Sequence, residues 1–544
     1  MNNTNYPTTV HYFPTIIESG SVYVDKTKFI VPLLEHTAKS SFFLSRPRRF
    51  GKSMFVSALE HVFLGRKDLF TGLYIYDKVD WTDTYPVIRF SMDKIRFTTL
   101  GLETALLKAV QTVAKDYEIQ LDETDSGIAF QELLKKLTQK YQKGVVVLID
   151  EYDKPIISYI EKDNTEQAEA NRDILKNFYG VLKDNGQYLR FTFITGVSRF
   201  SKVSIFSDLN YFDDLTLDAN FATICGFTEA EIRQHCMGGV EDLAAKEGIT
   251  IDAVMAKIKY WYNGFSWNAH DFVYNPYSTM LLMNKQVFDD YWFTSGTPTF
   301  LVKLIHKAYE YNFEGVRVSK DDYDWHDLKN LDYTSIMLQT GYLTFKEALG
   351  DDYFRATFPN KEVEKAFSKM LLQDYTQIRP SHVSQTIYDL QECLKSHDLE
   401  GMVKILTNMF KTLPPQYFTE SYEIIDKEGN KKMVSKAVGE SFYHAIIYLI
   451  FNILGGKMNV EVSAGDGRID AVVETKTHIY IFEFKKDRTA KAAIKQMLDN
   501  NYPDRFALSK KPIYLIGLSF SLQKRGINSH VILPYQGGET LSSH

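Results

Sequence analysis

Ser41-Phe-Phe-Leu-Ser-Arg-Pro-Arg-Arg-Phe-Gly-Lys-Ser53 decides how the N-terminal part of this chain is read. An apolar run, Ser41 to Ser45, enters a basic loop that closes on Gly51-Lys52-Ser53, and Met54-Phe55-Val56 then opens a helix. A helix N-terminus offers unbonded amides to a phosphate, Lys52 reaches the terminal phosphates, and the Ser53 hydroxyl can ligate magnesium. Arg46 stands where this pattern has a glycine that lets the backbone curl. Arg46, Arg48 and Arg49 are expected to compensate by adding positive charge beside Phe50 and Gly51.

A tripeptide alone is weak, and a second stretch strengthens it. Val145-Val-Val-Leu-Ile-Asp150-Glu151 is an apolar strand ending in two carboxylates. Asp150 is placed to hold magnesium through water, and Glu151 to orient and deprotonate the water that attacks the γ-phosphate. A third strand, Phe191 to Thr195, ends in a polar group that could sense that phosphate, with Arg199 shortly after. The alternatives are that Asp150 and Glu151 cap a helix near Tyr152 and that Arg199 pairs with a surface carboxylate. Together the stretches point to ATP with magnesium, held by Arg46, Arg48, Arg49, Phe50, Gly51, Lys52, Ser53, Asp150, Thr195 and Arg199. Tyr23 to Thr27 could approach the adenine from outside the loop.

Outward from these motifs, short strands at Ser41 to Ser45, Pro86 to Ser91, Val145 to Asp150 and Phe191 to Thr195 alternate with longer segments of helical periodicity. Those segments are Thr104 to Tyr117, Ala129 to Tyr141 and Ala168 to Asp184. This is the pattern of an α/β fold with a parallel sheet. Phe227 to about Lys346 reads as a mostly helical lid or middle region. Its aromatics, Tyr260-Trp261-Tyr262, Phe265 and Trp267, are either core or a platform for bases, and core is the commoner use. Asp351 to Pro414 reads as mainly helical, and Pro414-Pro415 as a joint. The expected domains are 1–226, 227–350, 351–415 and 416–544.

The last region carries Gly467-Arg-Ile-Asp470 and, after a short turn, Glu483-Phe-Lys485. A hairpin brings Asp470 to within about one rung of Glu483. Strand alternation puts Ile479, Ile481, Glu483 and Lys485 on one face. Two carboxylates side by side at the base of an apolar hairpin repel unless a cation lies between them. Magnesium there would activate a water and steady a phosphodiester, with Lys485 assisting. Glu440 and Gln496 lie on helices that could complete the site, although Glu440 could equally be a first-turn helix residue. The run Lys485, Lys486, Arg488, Lys491, Lys495 would hold a nucleic-acid backbone, or is simply a solvated face.

Composition bounds the rest. The chain has 544 residues, 44% hydrophobic and 24% charged, which suits several globular domains. Residues 431–544 hold 16 Lys+Arg against 10 Asp+Glu, a surplus of +6 in a chain whose net charge is -6. Cys225, Cys236 and Cys393 have no CxxC spacing, and no HExxH or His/Cys cluster appears, so disulfide and zinc chemistry are not expected. Gly439-Glu-Ser441-Phe-Tyr443 lacks the second glycine of a nucleophile elbow. Met1 to Val10 does not read as a secretory signal, and Ala445 to Leu454 is too short to span a bilayer, so a cytoplasmic protein without membrane attachment is expected.

With these residues in view, the chain resembles bacterial proteins that join an AAA-like ATPase domain to a C-terminal PD-(D/E)XK nuclease-superfamily domain. The resemblance rests on Tyr23-Val-Asp-Lys-Thr27, the loop through Ser53, Leu148-Ile-Asp-Glu-Tyr-Asp-Lys-Pro155, Thr195-Gly-Val-Ser-Arg199, Trp261-Tyr-Asn-Gly264 and the two C-terminal motifs. It implies a P-loop ATPase fold followed by a restriction-endonuclease-like α/β domain. Asp470, Glu483 and Lys485 then match the nuclease core, with Glu440 and Gln496 at its flanking positions, and Arg46 is the family's own variant of the loop. The expected activity is an ATP-regulated, magnesium-dependent nuclease acting on DNA or RNA, possible as a homo-oligomer. The alternative is an ATP-driven switch that binds nucleic acid or protein without cutting.

Overall fold

Ser41–Ser45 (β1) is buried along its whole length, as a strand covered on both faces must be. Val87–Ser91 (β2), Val145–Asp150 (β3), Leu189–Gly196 (β4) and Asp213–Asp214 (β5) join it in one sheet of order β2-β3-β4-β1-β5. All its pairings are parallel. Helices Leu102–Asp116, Ser126–Tyr141 and Thr165–Asp184 supply the crossovers that parallel strands require. The consequence for function is positional: β4 separates the strand that enters the basic loop from the strand that ends in Asp150.

The computed structural model describes residues 5–35, 40–162, 164–199, 212–292, 299–308, 313–324, 331–413, 419–425, 431–437, 440–455, 459–462, 469–506, 508–521 and 526–535. The chain divides into two units, Met1–Leu301 with Phe313–Val363 and Val302–Asn312 with Glu364–His544. The expected joint at Pro414-Pro415 lies outside the described residues. Among the described residues no helix is long and apolar enough to cross a membrane.

Residues 227–301 and 313–350 belong to the first unit together with the parallel sheet. Trp261 and Tyr262 sit in a core with Val240, Leu243, Ile258 and Met283, which is the structural use of that aromatic cluster; Tyr260 is the exposed member. The region is less uniformly helical than its sequence suggests. Val316–Ser319 (β6), Thr344–Ala348 (β7) and Tyr353–Thr357 (β8) form a sheet of order β6-β8-β7. Asp351 onward is mainly helical as expected, through Lys361–Thr376, Pro380–Ser396 and Leu399–Thr412, but it opens on the strand β8. There Phe354 and Ala356 are buried while Tyr353 and Arg355 are exposed, a period of two, and Gly350 turns the hairpin at φ 135°. Glu362 is fully buried here: it accepts from the Ser278 hydroxyl (2.8 Å) and the Trp292 amide (2.7 Å), while its Oε2 meets no donor.

The second unit holds a mixed sheet. Asn459–Val462 (β11), Ala471–Glu474 (β12), Ile479–Lys486 (β13), Ile513–Ser521 (β14) and Gly526–Tyr535 (β15) follow chain order, with only β13 and β14 parallel. Thr419–Ile425 (β9) and Lys431–Ala437 (β10) pair separately as an antiparallel ladder. The helix Ala490–Asp499 makes the β13-to-β14 crossover and packs Ile494 and Met497 on Ile479, Ile481 and Leu515. Phe451 and Phe410 cover the opposite face at Phe482 and Phe520.

Candidate active sites

Gly51, at φ 97°, caps the helix Lys52–Phe63 without a side chain, so its first-turn amides face outward uncapped. The helix stands there because Phe55, Val56, Leu59, Val62 and Phe63 form one buried stripe. Lys52 is 5% exposed, and its amine donates to the carbonyls of Arg46 (2.8 Å) and Pro47 (2.9 Å). Burial pulls the Lys52 pKa down, while Glu151 and Asp150 act in the opposite sense. The amine thus lies folded on the loop's own oxygens, where phosphate oxygens would be stronger acceptors.

Asp150 is 3% exposed and accepts from the Thr195 hydroxyl at 2.6 Å. That contact follows from register, since Ile149 pairs with Ile194. Glu151 adopts φ 56° immediately after the strand. Its carboxyl is pushed up mainly by burial and further by Asp150, against the pull of Lys52. A raised carboxyl pKa suits a group that accepts a proton near neutral pH. Beside the loop, Val22 to Val24 face an apolar cavity across from Arg49 to Gly51, with Cys225 to Phe227 and Tyr277 closing it.

In the second unit Ala471 pairs with Phe482, which sets Asp470 opposite Glu483. Asp470 Oδ2 accepts from the Phe484 amide at 2.7 Å, and Lys485 donates to Glu483 Oε1 at 2.7 Å. Glu483 is 1% exposed, and its Oε2 is buried without a hydrogen-bond partner. Burial raises its pKa, and Lys485 opposes that shift. Across the ladder from Glu483 lies Gly517, where an added Cβ would come 2.5 Å from the Ala490 carbonyl. Only glycine lets the helix Ala490–Asp499 approach this closely. An all-oxygen pair with one unsatisfied buried oxygen fits a hard cation. Among the described residues no group of three or more His, Cys, Asp and Glu side chains is arranged to hold a metal.

Residues 7–206 match the family described as Predicted AAA-ATPase, and residues 438–530 match the PD-(D/E)XK nuclease superfamily. Over 541 residues, covering 98% of this chain and 99% of the relative, the sequence is 32% identical to a protein described as "Uncharacterized protein in vnfD 5'region" from Azotobacter chroococcum mcd 1. The chain belongs to this family: an AAA-like ATPase region joined to a C-terminal PD-(D/E)XK domain.

Within the AAA-like region the arginines have partners inside the protein. Arg46 is fully buried; it donates to the carbonyls of Ser45, Thr216 and Phe221 and lies 3.9 Å from the centre of the Trp267 ring. The expectation that it adds charge to the phosphate cradle is corrected, because its guanidinium is fully buried between these carbonyls and the Trp267 ring. Arg48 pairs with Glu161 at 2.7 Å. Arg49 donates to His11 Nε2 (3.2 Å), stacks on Tyr277 and takes φ 67°, so it lines the cavity and supplies part of the curl expected of a glycine at position 46. Phe50 is buried edge-on against Phe265 and Trp267. Arg199 pairs with Asp214 (2.6 Å) and Asp324 (3.0 Å), the carboxylate pairing that was the alternative to a nucleotide contact. Ser53 is half-buried, and its hydroxyl has no partner among the described residues.

Sequence reasoning missed Tyr152 and Asp153. Asp153 accepts from the amides of Val197 and Ser198 and from the Ser198 hydroxyl; Tyr152 donates to the Ser198 carbonyl. They clamp the end of β4 to the end of β3, and the signal was present in Asp150-Glu-Tyr-Asp153. The Tyr23–Thr27 motif also gains a physical role. Asp25 accepts from Thr27 and from the Tyr74 amide, while Lys26 reaches Glu231 (2.8 Å) and the Thr223 carbonyl (2.9 Å), which fixes the wall formed by Val22 to Val24. In the PD-(D/E)XK domain Gln496 sits half-buried on the helix that covers the Glu483 face. Glu440 opens the helix Glu440–Gly455, but its side chain, like Gly467 and Arg468, lies outside the described residues.

Proposed function

We propose that this chain is an ATP-hydrolysing, magnesium-dependent nuclease in which nucleotide at the AAA-like region regulates cutting of phosphodiester bonds by the PD-(D/E)XK domain. The observation that supports the reading most is the buried, donor-free Oε2 of Glu483 beside Asp470 and Lys485. Magnesium bound there supplies charge stabilisation and an acidified water. Asp470 and Glu483 hold the ion, and Lys485, released from Glu483, presents its ammonium to the phosphate or nucleophile. Gln496 and Glu440 stand on flanking helices as further contacts. Lys486, Arg488, Lys491 and Lys495 reach the surface around the site and suit a DNA or RNA backbone.

At the AAA-like region, the first-turn amides and Lys52 bind the phosphates, and the adenine enters the cavity walled by Val22 to Val24. Ser53 and Asp150 hold the accompanying magnesium, and Glu151 takes the proton from water. A ring of several copies would need an arginine from a neighbour, and Arg199 is already committed to Asp214 and Asp324 within its own chain.

The test is cleavage of plasmid DNA, single-stranded DNA and RNA by the full chain, with magnesium or EDTA and with or without ATP. Metal-dependent cutting that disappears in Asp470→Ala and changes in Lys52→Ala is the expected result. A second reading, an ATP-driven switch that binds without cutting, is favoured by the Lys485 ammonium already occupying Glu483 Oε1. ATP hydrolysis with salt-sensitive nucleic-acid binding and no cutting of any substrate would establish it instead.

A further inference from the structure

Arg46 and Arg199 both make their contacts within the protein, and those contacts meet. Arg46 donates to the Thr216 carbonyl at 2.8 Å. The Thr216 amide donates to Asp214 Oδ1 at 2.8 Å, and Asp214 Oδ2 lies 2.6 Å from Arg199 Nε. Arg199 continues the path through Nη1 to Asp324 (3.0 Å) and through its backbone amide to Gln339 Oε1 (2.9 Å). Gln339 donates to the carbonyl of Tyr323. The Tyr323 hydroxyl accepts from Trp267 Nε1 at 3.2 Å, and the Trp267 ring lies against Arg46. The path closes on itself.

The closed ring touches the nucleotide site at two points. One is Arg46, which leads into the loop whose carbonyls hold Lys52. The other is the end of β4, which carries Thr195 on Asp150. Both connect to one segment of the middle region, the turn Asp321–Tyr323 with Asp324 and the helix Tyr333–Thr340. A further contact fixes that segment to the loop: at Gly341 an added Cβ would come 2.7 Å from the Pro47 ring. Burying a guanidinium against carbonyls and an indole, with no carboxylate bonded to it, is costly, and hydrophobic residues of similar volume usually stabilise as well or better. A buried fork that joins three carbonyls is instead suited to fixing geometry.

We propose that Arg46 and Arg199 are positioning residues of a closed ring that sets the phosphate loop and the end of β4 in one frame and transmits nucleotide occupancy to residues 321–324 and 331–341. The inference rests on the ATPase reading above. Arg46 acts on the loop, so its loss weakens nucleotide binding. Asp324 acts through Arg199 on the end of β4, so its loss slows the chemical step.

Steady-state ATP hydrolysis by the full chain tests this with Arg46→Lys, Asp324→Asn and the double variant. Arg46→Lys is expected to raise KM about tenfold at near-constant kcat, and Asp324→Asn to lower kcat about tenfold at near-constant KM. Asp324 braces Arg199 in the same frame that Arg46 closes, so the two changes are coupled and the double variant should lose clearly less in kcat/KM than the roughly hundredfold of independent sites. Additive losses, or unchanged singles, overturn the ring. Hydrogen exchange on the unaltered protein provides a check that needs no variant: a magnesium complex of a non-hydrolysable ATP analogue should protect residues 321–324 and 331–341. Binding of the analogue without that protection overturns the coupling while leaving the ATPase reading intact. Failure of the unaltered protein to bind or hydrolyse ATP overturns the reading and the ring together.

Discussion

Glu362 in the first unit and Glu483 in the second are both buried carboxylates, each with one oxygen that makes no hydrogen bond among the described residues, yet their surroundings differ. Around Glu362 the donors are neutral, a serine hydroxyl and a backbone amide, and burial pushes its pKa up to about 8. It therefore keeps a proton at neutral pH. Glu483 has the Lys485 ammonium at 2.7 Å opposing the effect of burial, and Asp470 stands across the ladder. Burial alone marks neither as a site. A second carboxylate and a basic neighbour separate a group that answers desolvation with a proton from one that answers it with a cation.

The largest expected effect bears on Glu362. Below the ordinary glutamate pKa both folded and unfolded chains carry the proton; above it the unfolded chain releases it and the folded chain does not. Stability of the first unit should therefore fall as pH rises from about 4.5 towards about 8, by roughly 3–5 kcal/mol from this group. Denaturant melts across that range should show a shallower fall in Glu362→Gln; an unchanged slope would break the contrast with Glu483. Next, Asp470→Ala leaves Glu483 paired only with lysine, and metal-dependent cleavage should fall by at least about a hundredfold, roughly 2.7 kcal/mol. Titrating magnesium into EDTA-treated protein should then stabilise the second unit by about 1–3 kcal/mol, and Glu483→Gln should abolish that gain; equal gains in both proteins would place the ion elsewhere. Asp150 is a third case, a buried carboxylate partnered by the Thr195 hydroxyl. Thr195→Val should cost about 1 kcal/mol in a thermal melt, the smallest of these effects.

What was legible in the sequence follows from distance along the chain. Parallel strands buried on both faces are continuous apolar runs, so β1, β3 and β4 appear nearly as expected, and a short turn fixed the pairing of Asp470 with Glu483. The middle-region sheet was not legible as such, because β7 and β8 are short and set among aromatics that fit either period. Arg46 was misread for a different reason. Its motif position suggests phosphate, and only tertiary contacts with residues 170 or more positions away show where the guanidinium points. Arg199 depends likewise on Asp324 and Gln339, which no local spacing connects to it.

The division of the chain has a consequence for how such a protein is inherited and dissected. The unit bearing Asp470 and Glu483 takes in Val302–Asn312 as well as Glu364–His544. A fragment beginning at residue 364 would leave out a piece of its own body, and recombination at a single point between residues 312 and 364 would divide that unit's parts between two parents. Exchange of one half between relatives is therefore expected to need both of its segments moved together.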